Sequence, residues 1–364
     1  MTAALLILVF TLQDPPPVDM KKVDYAVERG GRYLLLQVSK GVPDVKHPTN
    51  PQMGLEELAA YALLHTGLDL AGERRFQEAL DRIVAKELKF TYQASLAALT
   101  LEALDKTKYQ WRLAQCAQFL VDNECANGQW SYGTPIKFPE GIPKGPPADG
   151  AAGGSATVAA IKIVRRGKGP PKGDNSNAQY AALGLRACSS SGLQVPDEVF
   201  TLAAKWWEKC QNKDGGWGYS DDGQIGDPSH GSMTAGGAAS LIICRHLLHQ
   251  DFEKYAPVKR SLDWVGSNFT VLENPGYARP YQWHHYWLYA VERAGILFGT
   301  EKLGDHAWYP EGVDFLLKAQ QKDGSWASEK GGYVSPGGEV ADTAFAILFL
   351  RRATKPLPKV VTGK

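Results

Sequence analysis

The sequence predicts an all-α ring in which six inner helices are surrounded by six outer helices, an (α/α)6 toroid. Helical periodicity recurs from Val23 to Ala353, with almost no strand signal. Helices with one charged face alternate with helices whose residues are small and apolar on nearly all sides. A tryptophan-containing turn also recurs at the same place after three of the charged helices.

The charged faces belong in water, so helices of the first kind are predicted to lie outside. These are Val23–Val38, Gly72–Glu87, Tyr109–Glu124, Asp197–Gln211, Tyr255–Phe269 and Trp308–Gln321. A helix that is apolar on all sides must be enclosed by other helices, so helices of the second kind are predicted to form the inner ring. These are Leu55–His65, Thr91–Leu104, Asp174–Ser190, Gly231–Leu248, Tyr281–Gly299 and Val340–Ala353.

The recurring turn reads QNKDGGW at 211–217, QQKDGSW at 320–326 and ECANGQW at 124–130. The glycine suits the left-handed conformation that closes a helix. We expect Trp130, Trp217 and Trp326 to lie back over the helix ends. We also expect Gln211 and Gln320, like the Glu of the third copy, to reach the indole or a free backbone group.

The predicted domain organisation is a leader at 1–18, one toroid domain at 19–356 and a tail at 357–364. A long insertion rich in Gly, Pro and Lys occupies 134–173 and contains a predicted strand at 156–164. It is either a flap at the rim of the ring or an insert without function. Its Gly-x5-Gly run lacks the ending of a phosphate-binding loop, which argues against a nucleotide.

The leader contains an apolar run at 3–12, which is too short to span a bilayer and matches the core of a signal peptide. No Lys or Arg precedes the run, and no clear cleavage site follows it. Export to the periplasm or the medium is one expectation. A short buried or peripheral apolar strand, in a cytoplasmic or membrane-peripheral protein, is the other. No other run approaches the length of a membrane span.

The composition excludes several classes of protein. Forty Lys and Arg against 39 Asp and Glu give a net charge of +1, which argues against a nucleic-acid partner held through phosphates. The five cysteines form no CxxC pair and fall within predicted helices, so buried free thiols are expected rather than a metal site. We expect no cofactor. The sequence does not indicate an oligomeric state.

The three turns resemble the QW repeats of squalene–hopene and oxidosqualene cyclases, and EVADTAFAILFL is similar to the DTA-containing helix of that family. Protein prenyltransferase β-subunits and complement-like thioester domains share the toroid. The resemblance covers roughly 20–355, nearly the whole chain. It implies a terpenoid cyclase- or prenyltransferase-like toroid that binds an isoprenoid or another apolar ligand in its central cavity.

The family's chemistry does not carry over to this chain. Where the cyclases have D-x-D-D-T-A with a central acid, this chain has Ala341, and only Glu339 and Asp342 remain as carboxylates. The D-x-C and His zinc ligands of the prenyltransferases have no counterpart, and no thioester motif is present. The chain also has about half the length that the resemblance implies for a full cyclase. Whether this protein is an enzyme therefore stays open.

Polar side chains concentrate at the starts of the inner helices, which the fold gathers at one mouth. If the protein is an enzyme, we expect acid–base chemistry there, with Asp342 or Glu339 as the acid, His230 as its partner and Asp174 orienting them. Helix capping is the simpler interpretation of Asp174 and Asp342. His284 and the adjacent His285 point about 100° apart in a helix, so they cannot share one metal ion.

An aromatic stripe on the fifth inner helix has two interpretations, either packing in the core or lining a cavity that stabilises a carbocation or stacks on a sugar. The cavity-lining set is Tyr281, Trp283, His284, Tyr286 and Trp287. Three functions therefore remain open: isoprenoid binding, a non-catalytic binding or scaffold role, and a polysaccharide-active lyase or hydrolase. A lumen filled by side chains would favour the second, and an open groove with exposed rings and paired carboxylates would favour the third.

Overall fold

The computed structural model describes residues 17–41, 54–146, 160–219, 227–328 and 337–358. The described outer helices are α1 (Met20–Ser39), α3 (Arg74–Ala85), α5 (Gln110–Asp122), α7 (Asp197–Lys209), α9 (Ala256–Ser267) and α11 (Trp308–Ala319). The described inner helices are α2 (Leu55–Leu64), α4 (Thr91–Asp105), α6 (Asn175–Ser190), α8 (Gly231–Leu247), α10 (His284–Phe298) and α12 (Gly338–Leu350).

The inner helices form a closed ring. Each packs on the next one along the chain, and α12 packs on α2, which confirms the predicted all-α toroid. Small residues allow this close packing: a side chain at Gly184 of α6 would come within 2.7 Å of the Cα of Ser95 on α4. The outer helices cover the ring, so both faces of each inner helix are buried, as the apolar pattern of these helices predicts.

The insertion contributes one strand of the two-stranded sheet among the described residues. Strand β1 (Ile161–Lys162) pairs in parallel with β2 (Leu193–Gln194). Of the strand predicted at 156–164, residues 160–164 are described, and only two of them form a strand. The backbone N–H groups of Arg166 and Gly167 both donate to Asp122 Oδ1 at the end of α5. The described parts of the insertion thus contact an outer helix. Residues 147–159, the leader run at 3–12 and the end of the tail lie outside the described residues.

The three tryptophan turns share one geometry. In each, the indole N–H donates to the backbone carbonyl ten residues earlier: Trp130 to Leu120 at 2.7 Å, Trp217 to Trp207 at 2.9 Å and Trp326 to Leu316 at 2.8 Å. The side-chain amide of Gln211 donates to the turn carbonyl of Gly215 at 2.8 Å, and that of Gln320 donates to Gly324 at 2.9 Å. Each tryptophan therefore fastens its turn onto the outer helix that precedes it.

The turn glycines also bring successive outer helices together. Gly215 and Gly324 have φ values of 94° and 95°, the left-handed region that glycine tolerates. A side chain at Gly215 would lie 2.7 Å from the carbonyl oxygen of Arg260 on α9, and one at Gly324 would lie 2.6 Å from that of Arg29 on α1. The motif therefore requires glycine for two reasons: the backbone has a positive φ, and the neighbouring outer helix leaves no space for a side chain.

The five cysteines are buried and free. Within the described ranges, no helix combines the length and the apolarity that a membrane crossing requires.

Candidate functional site

The mouth of the ring is formed by the first turns of the inner helices. Asp174 caps α6, since its carboxylate accepts the Asn177 backbone N–H at 2.7 Å and the Asn177 side-chain amide at 2.8 Å. Burial raises the pKa of Asp174 to about 6, although these hydrogen bonds act in the opposite direction. The capping interpretation therefore accounts for both oxygens of this side chain.

His230 occupies the cap position of α8 without a side-chain cap hydrogen bond. Its Nδ1 lies 3.3 Å from Ser232 Oγ, and its ring centre is 4.9 Å from that of Tyr277. Burial lowers the pKa of His230 to about 4, against the opposing charge of Asp227, so the ring is neutral at pH 7. Its described polar partners do not include Glu339 or Asp342.

Glu339 faces the outer layer. Its Oε2 accepts the hydroxyl of Tyr33 on α1 at 2.9 Å, and burial together with this carboxylate raises the pKa of Tyr33. The four residues predicted to form an acid–base group, Asp342 among them, thus have four separate sets of partners. The reason is rotational: residues at equivalent starts of different helices face different neighbours.

Asp342 lies beside His285, one helix back in the ring. Its Oδ1 is 3.4 Å from His285 Nδ1, and its Oδ2 accepts the Ser328 backbone N–H at 2.8 Å. The Ser328 hydroxyl lies 2.9 Å from the same His285 nitrogen. All three side chains are buried. This is not a hydrolytic triad, because the acid and the hydroxyl share one imidazole nitrogen instead of occupying the two opposite ones.

A pocket of about 450 Å³, here called the rim pocket, opens beside this cluster between the start of α10 and the end of α11. Its lining is Val271, Leu272, Tyr281, His284, His285, Asp314, Phe315, Lys318, Ala319, Ala327 and Ser328. The apolar members form most of the wall, and His285 and Ser328 connect it to Asp342. Its volume falls within the usual range for small-molecule sites.

Trp283, just before α10, has a positive φ of 64°, which is rare for a residue with a large side chain. This conformation starts the helix at His284, three residues later than the sequence predicts. His284 Nε2 then lies 2.8 Å from the Val271 carbonyl oxygen, and the His284 ring packs 5.0 Å from Phe315. Backbone strain of this kind is concentrated at functional sites.

The middle of the ring is occupied by aromatic side chains and one arginine. This central cluster consists of Tyr92 on α4, Tyr180 on α6, Tyr286, Tyr289 and Arg293 on α10, and Phe345 on α12. Successive ring centres lie 4.3 Å (Tyr92–Tyr180), 6.0 Å (Tyr180–Tyr286), 5.5 Å (Tyr286–Phe345) and 5.8 Å (Tyr289–Phe345) apart. These are normal packing distances for aromatic side chains in a core.

Hydrogen bonds close the cluster on the mouth side. The Tyr286 hydroxyl lies 3.0 Å from Ser176 Oγ and 3.2 Å from the Tyr92 hydroxyl, and Tyr92 also contacts Ser176 directly. Burial raises the pKa of both tyrosines, so their hydroxyls are neutral. Three helices therefore join just below the mouth through hydrogen-bonded hydroxyl groups.

Arg293 is completely buried at the centre of the cluster. Its guanidinium carbon lies 5.3 Å, 5.9 Å and 4.6 Å from the ring centres of Tyr180, Tyr286 and Tyr289, and its Nη2 donates to Gln179 Oε1 at 2.7 Å. The rings that could line a cavity thus already contact a fixed positive charge.

The predicted cavity-lining stripe separates into three groups in the structure. Of its members, Tyr286 faces the ring centre, whereas Tyr281 and His284 line the rim pocket. Trp287 donates its indole N–H to the Thr270 carbonyl at 2.9 Å and packs on Phe269, so it faces the outer layer. Successive helical residues differ by about 100°, which explains the separation.

Tyr92, Tyr180, Ser328 and Arg293 are not among the site residues that the sequence predicts. One signal was available, since the adjacent Glu292 and Arg293 are charged within an otherwise apolar part of an inner helix. Among the described residues, no group of three or more His, Cys, Asp or Glu side chains is arranged to hold a metal ion.

Solved helical toroids resemble this fold at low sequence identity. A variant of the type II terpene cyclase MstE from Scytonema, in complex with its substrate geranylgeranyl dihydroxybenzoate, matches with a TM-score of 0.57 and 11% identity over 92% of this chain and 98% of that chain. A possible member of the GH105 family from Salmonella enterica matches with a TM-score of 0.59 and 10% identity over 97% and 99% of the two chains.

A protein from Actinoplanes is similar at a TM-score of 0.50 and 15% identity, over 91% of this chain and 99% of that one. Identities this low show the toroid fold alone. No protein-family model matches the sequence, and no curated protein matches it. The fold class is therefore confirmed, whereas membership of a QW-repeat family stays a prediction.

Proposed function

We propose that this protein is a non-catalytic, ligand-binding toroid. In this proposal the ring centre is a structural core, and a small ligand binds in the rim pocket. It corresponds to the binding or scaffold alternative among the functions that the sequence left open, and not to an isoprenoid held in a central cavity.

The position of Arg293 is the observation that carries the proposal. A cyclase stabilises carbocations with electron-rich rings in a lumen free of competing cations. Here the faces of Tyr180, Tyr286 and Tyr289 already contact a guanidinium, which remains charged in proteins. A carbocation beside it would be repelled, and strongly so in a buried environment where screening is weak.

The missing acid supports the same conclusion. Protonating an alkene requires a carboxylic acid that presents its proton to the substrate. Asp342 instead accepts a backbone N–H from Ser328 and lies against His285, which belongs to the rim pocket. Glu339 accepts a hydrogen bond from the Tyr33 hydroxyl. Neither carboxylate has a described contact with the central cluster.

The lining of the rim pocket defines the class of ligand. Val271, Leu272 and Phe315 present an apolar wall, and His285 and Ser328 lie at its polar side. A small amphipathic molecule with an apolar body and one hydroxyl group would match both parts. Leu272 is 57% exposed, so it offers apolar surface that such a ligand would cover.

The test compares p-cresol with 4-methylanisole, which has the same ring but lacks the hydroxyl donor. We expect p-cresol to bind more tightly. Leu272→Ser should weaken p-cresol about tenfold, since a lost apolar contact of this size contributes about 1.4 kcal/mol. Leu36→Ser is the matched control, because Leu36 is similarly exposed but lies on α1. Equal affinities for the two ligands, or equal losses in the two variants, would contradict the proposal.

A saccharide-active enzyme is the second candidate, and three observations around Asp174 favour it. Tyr132 and Tyr219 lie with their hydroxyls 3.1 Å apart, Tyr219 is 37% exposed, and the raised pKa of Asp174 suits a general acid. The electrostatic effect of Asp174 also raises the pKa of both tyrosines, after the larger effect of burial. Release of sugars from acidic oligosaccharides that Asp174→Asn abolishes, without loss of folding, would favour this candidate over the first.

A further inference from the structure

Another pocket, here called the basic groove, opens between the insertion and the outer helix α7. Its volume is about 490 Å³, which is within the usual range for small-molecule sites. Arg165 and Lys168 of the insertion form one wall. The other wall is one face of α7, because its lining residues are spaced by three or four positions. They are Glu198, Thr201, Leu202 and Lys205.

The backbone of the insertion is held in place at this groove. The Gly167 N–H donates to Asp122 Oδ1 at 3.0 Å, and the Gly169 N–H donates to the Glu124 carbonyl oxygen at 2.8 Å. Gly169 also leaves no space for a side chain beside the Asn123 carbonyl. The glycine N–H groups that would hold an anion in a phosphate-binding loop are therefore already used. Side chains must supply any contact with a ligand here.

The charges of these side chains are unevenly paired. The guanidinium of Arg165 contacts the fully buried carboxylate of Glu124, and its Nε lies 3.2 Å from Glu198 Oε1. Lys168 and Lys205 are exposed, and neither has a carboxylate partner within the described part of the chain. The two carboxylates exceed the charge of Arg165 by one, and the two lysines leave the groove with a net positive charge.

We propose that the basic groove binds the phosphate group of a small phosphate monoester. Lysine binds phosphate as a point charge, so two ammonium groups can approach one phosphate from different sides. A phosphate monoester carries nearly two negative charges at neutral pH, which matches the two lysines. The Thr201 hydroxyl lines the same groove and can donate to a further oxygen, and Leu202 offers contact to a small apolar body. This site is separate from the rim pocket and does not depend on the proposed function.

The experiment compares methyl phosphate with methyl sulfate, which has a similar size but only one negative charge. Each is titrated into the full chain at pH 7.5 and low ionic strength, and backbone amide chemical shifts are recorded. We expect methyl phosphate to bind about fivefold more tightly and to perturb the amide signals at 126, 165–169 and 198–205. Equal affinities for the two esters, or shifts spread over exposed lysines throughout the chain, would overturn the proposal.

Two pairs of variants test the charges of the groove. Lys205→Gln should weaken methyl phosphate about fivefold, whereas Lys259→Gln, at an exposed position on α9, should leave it unchanged. Glu198→Gln should tighten binding, because it removes a negative charge from the groove. Its control is Asp197→Asn, since Asp197 is an exposed neighbour that does not line the groove. Equal effects within either pair would contradict the proposal. Because p-cresol is absent from these titrations, their outcome is independent of the rim pocket.

Discussion

The ring centre and the rim pocket are both built from α10, yet they have opposite properties. Tyr286, Tyr289 and Arg293 project into a closed cluster of packed rings and hydrogen bonds. His284 and His285, on the first turn of the same helix, border an open and mainly apolar pocket. The comparison shows that one inner helix can contribute both to a packed core around the ring axis and to an accessible pocket at the mouth rim.

The largest expected effect separates the two regions by stability. Tyr289→Ala should lower the free energy of unfolding by about 3–5 kcal/mol, because it removes a fully buried ring from the central cluster. Phe315→Ala, at the half-buried wall of the rim pocket, should cost only about 1 kcal/mol. Urea unfolding of both variants measures the difference. Similar losses would show that the ring centre is not the better packed region.

The second prediction concerns the far end of α10. Burial raises the pKa of Glu292 to about 7 in the folded protein, from the ordinary value of 4.5. Between these two pKa values the folded protein keeps the carboxyl proton that the unfolded chain releases. The contribution of Glu292 to the free energy of unfolding is therefore greatest below pH 4.5 and is lost as the pH rises towards 7. The loss is about 3 kcal/mol, at about 1.36 kcal/mol per pKa unit.

Glu292→Gln should remove this component of the pH dependence. Its stability relative to wild type should therefore improve between pH 4.5 and pH 7.5, as measured by thermal unfolding at each pH. The exposed Glu253 provides the control, since Glu253→Gln should leave the pH profile unchanged. A constant difference between Glu292→Gln and wild type across this range would contradict the burial argument.

A smaller effect is expected at the polar side of the rim pocket. Asp342→Ala leaves the Ser328 backbone N–H without its acceptor and should cost about 1–3 kcal/mol. Asp314→Ala breaks only an exposed pair with Lys318 and should change stability by less than about 1 kcal/mol. Because Asp342 also contacts His285, Asp342→Ala should weaken p-cresol binding as well. Unchanged binding with lowered stability would leave Asp342 only the structural role of holding the Ser328 backbone. That role is not the predicted helix cap, because Asp342 lies within α12 and the cap position is Gly337.

The sequence predicts the ring itself well, because alternating helix types and a repeated turn are strong periodic signals. The turn tryptophans lie over the outer helix ends as expected. The start of α10 was predicted at Tyr281 but lies at His284. Trp283 has a positive φ, so the helix cannot begin before His284, and no local sequence pattern predicts this conformation.

The orientation of side chains on the inner helices could not be predicted in the same way. A helix that is apolar all round has no polar face to indicate its rotation, so the central positions of Tyr92 and Tyr180 are hidden in the sequence. The contact between Asp342 and His285 depends on how two neighbouring helices are rotated and staggered. His230 was therefore assigned as the partner of Asp342 from its equivalent place on another helix.

The most direct test of the account is backbone chemical-shift mapping of p-cresol on the full chain. Binding in the rim pocket predicts perturbed amide signals at 271–272, 284–285, 314–319 and 327–328, with Tyr92, Tyr180 and Tyr289 unaffected. Perturbations centred on those three tyrosines would place the ligand inside the ring. That result would contradict a filled centre and return the central cavity to consideration as the binding site.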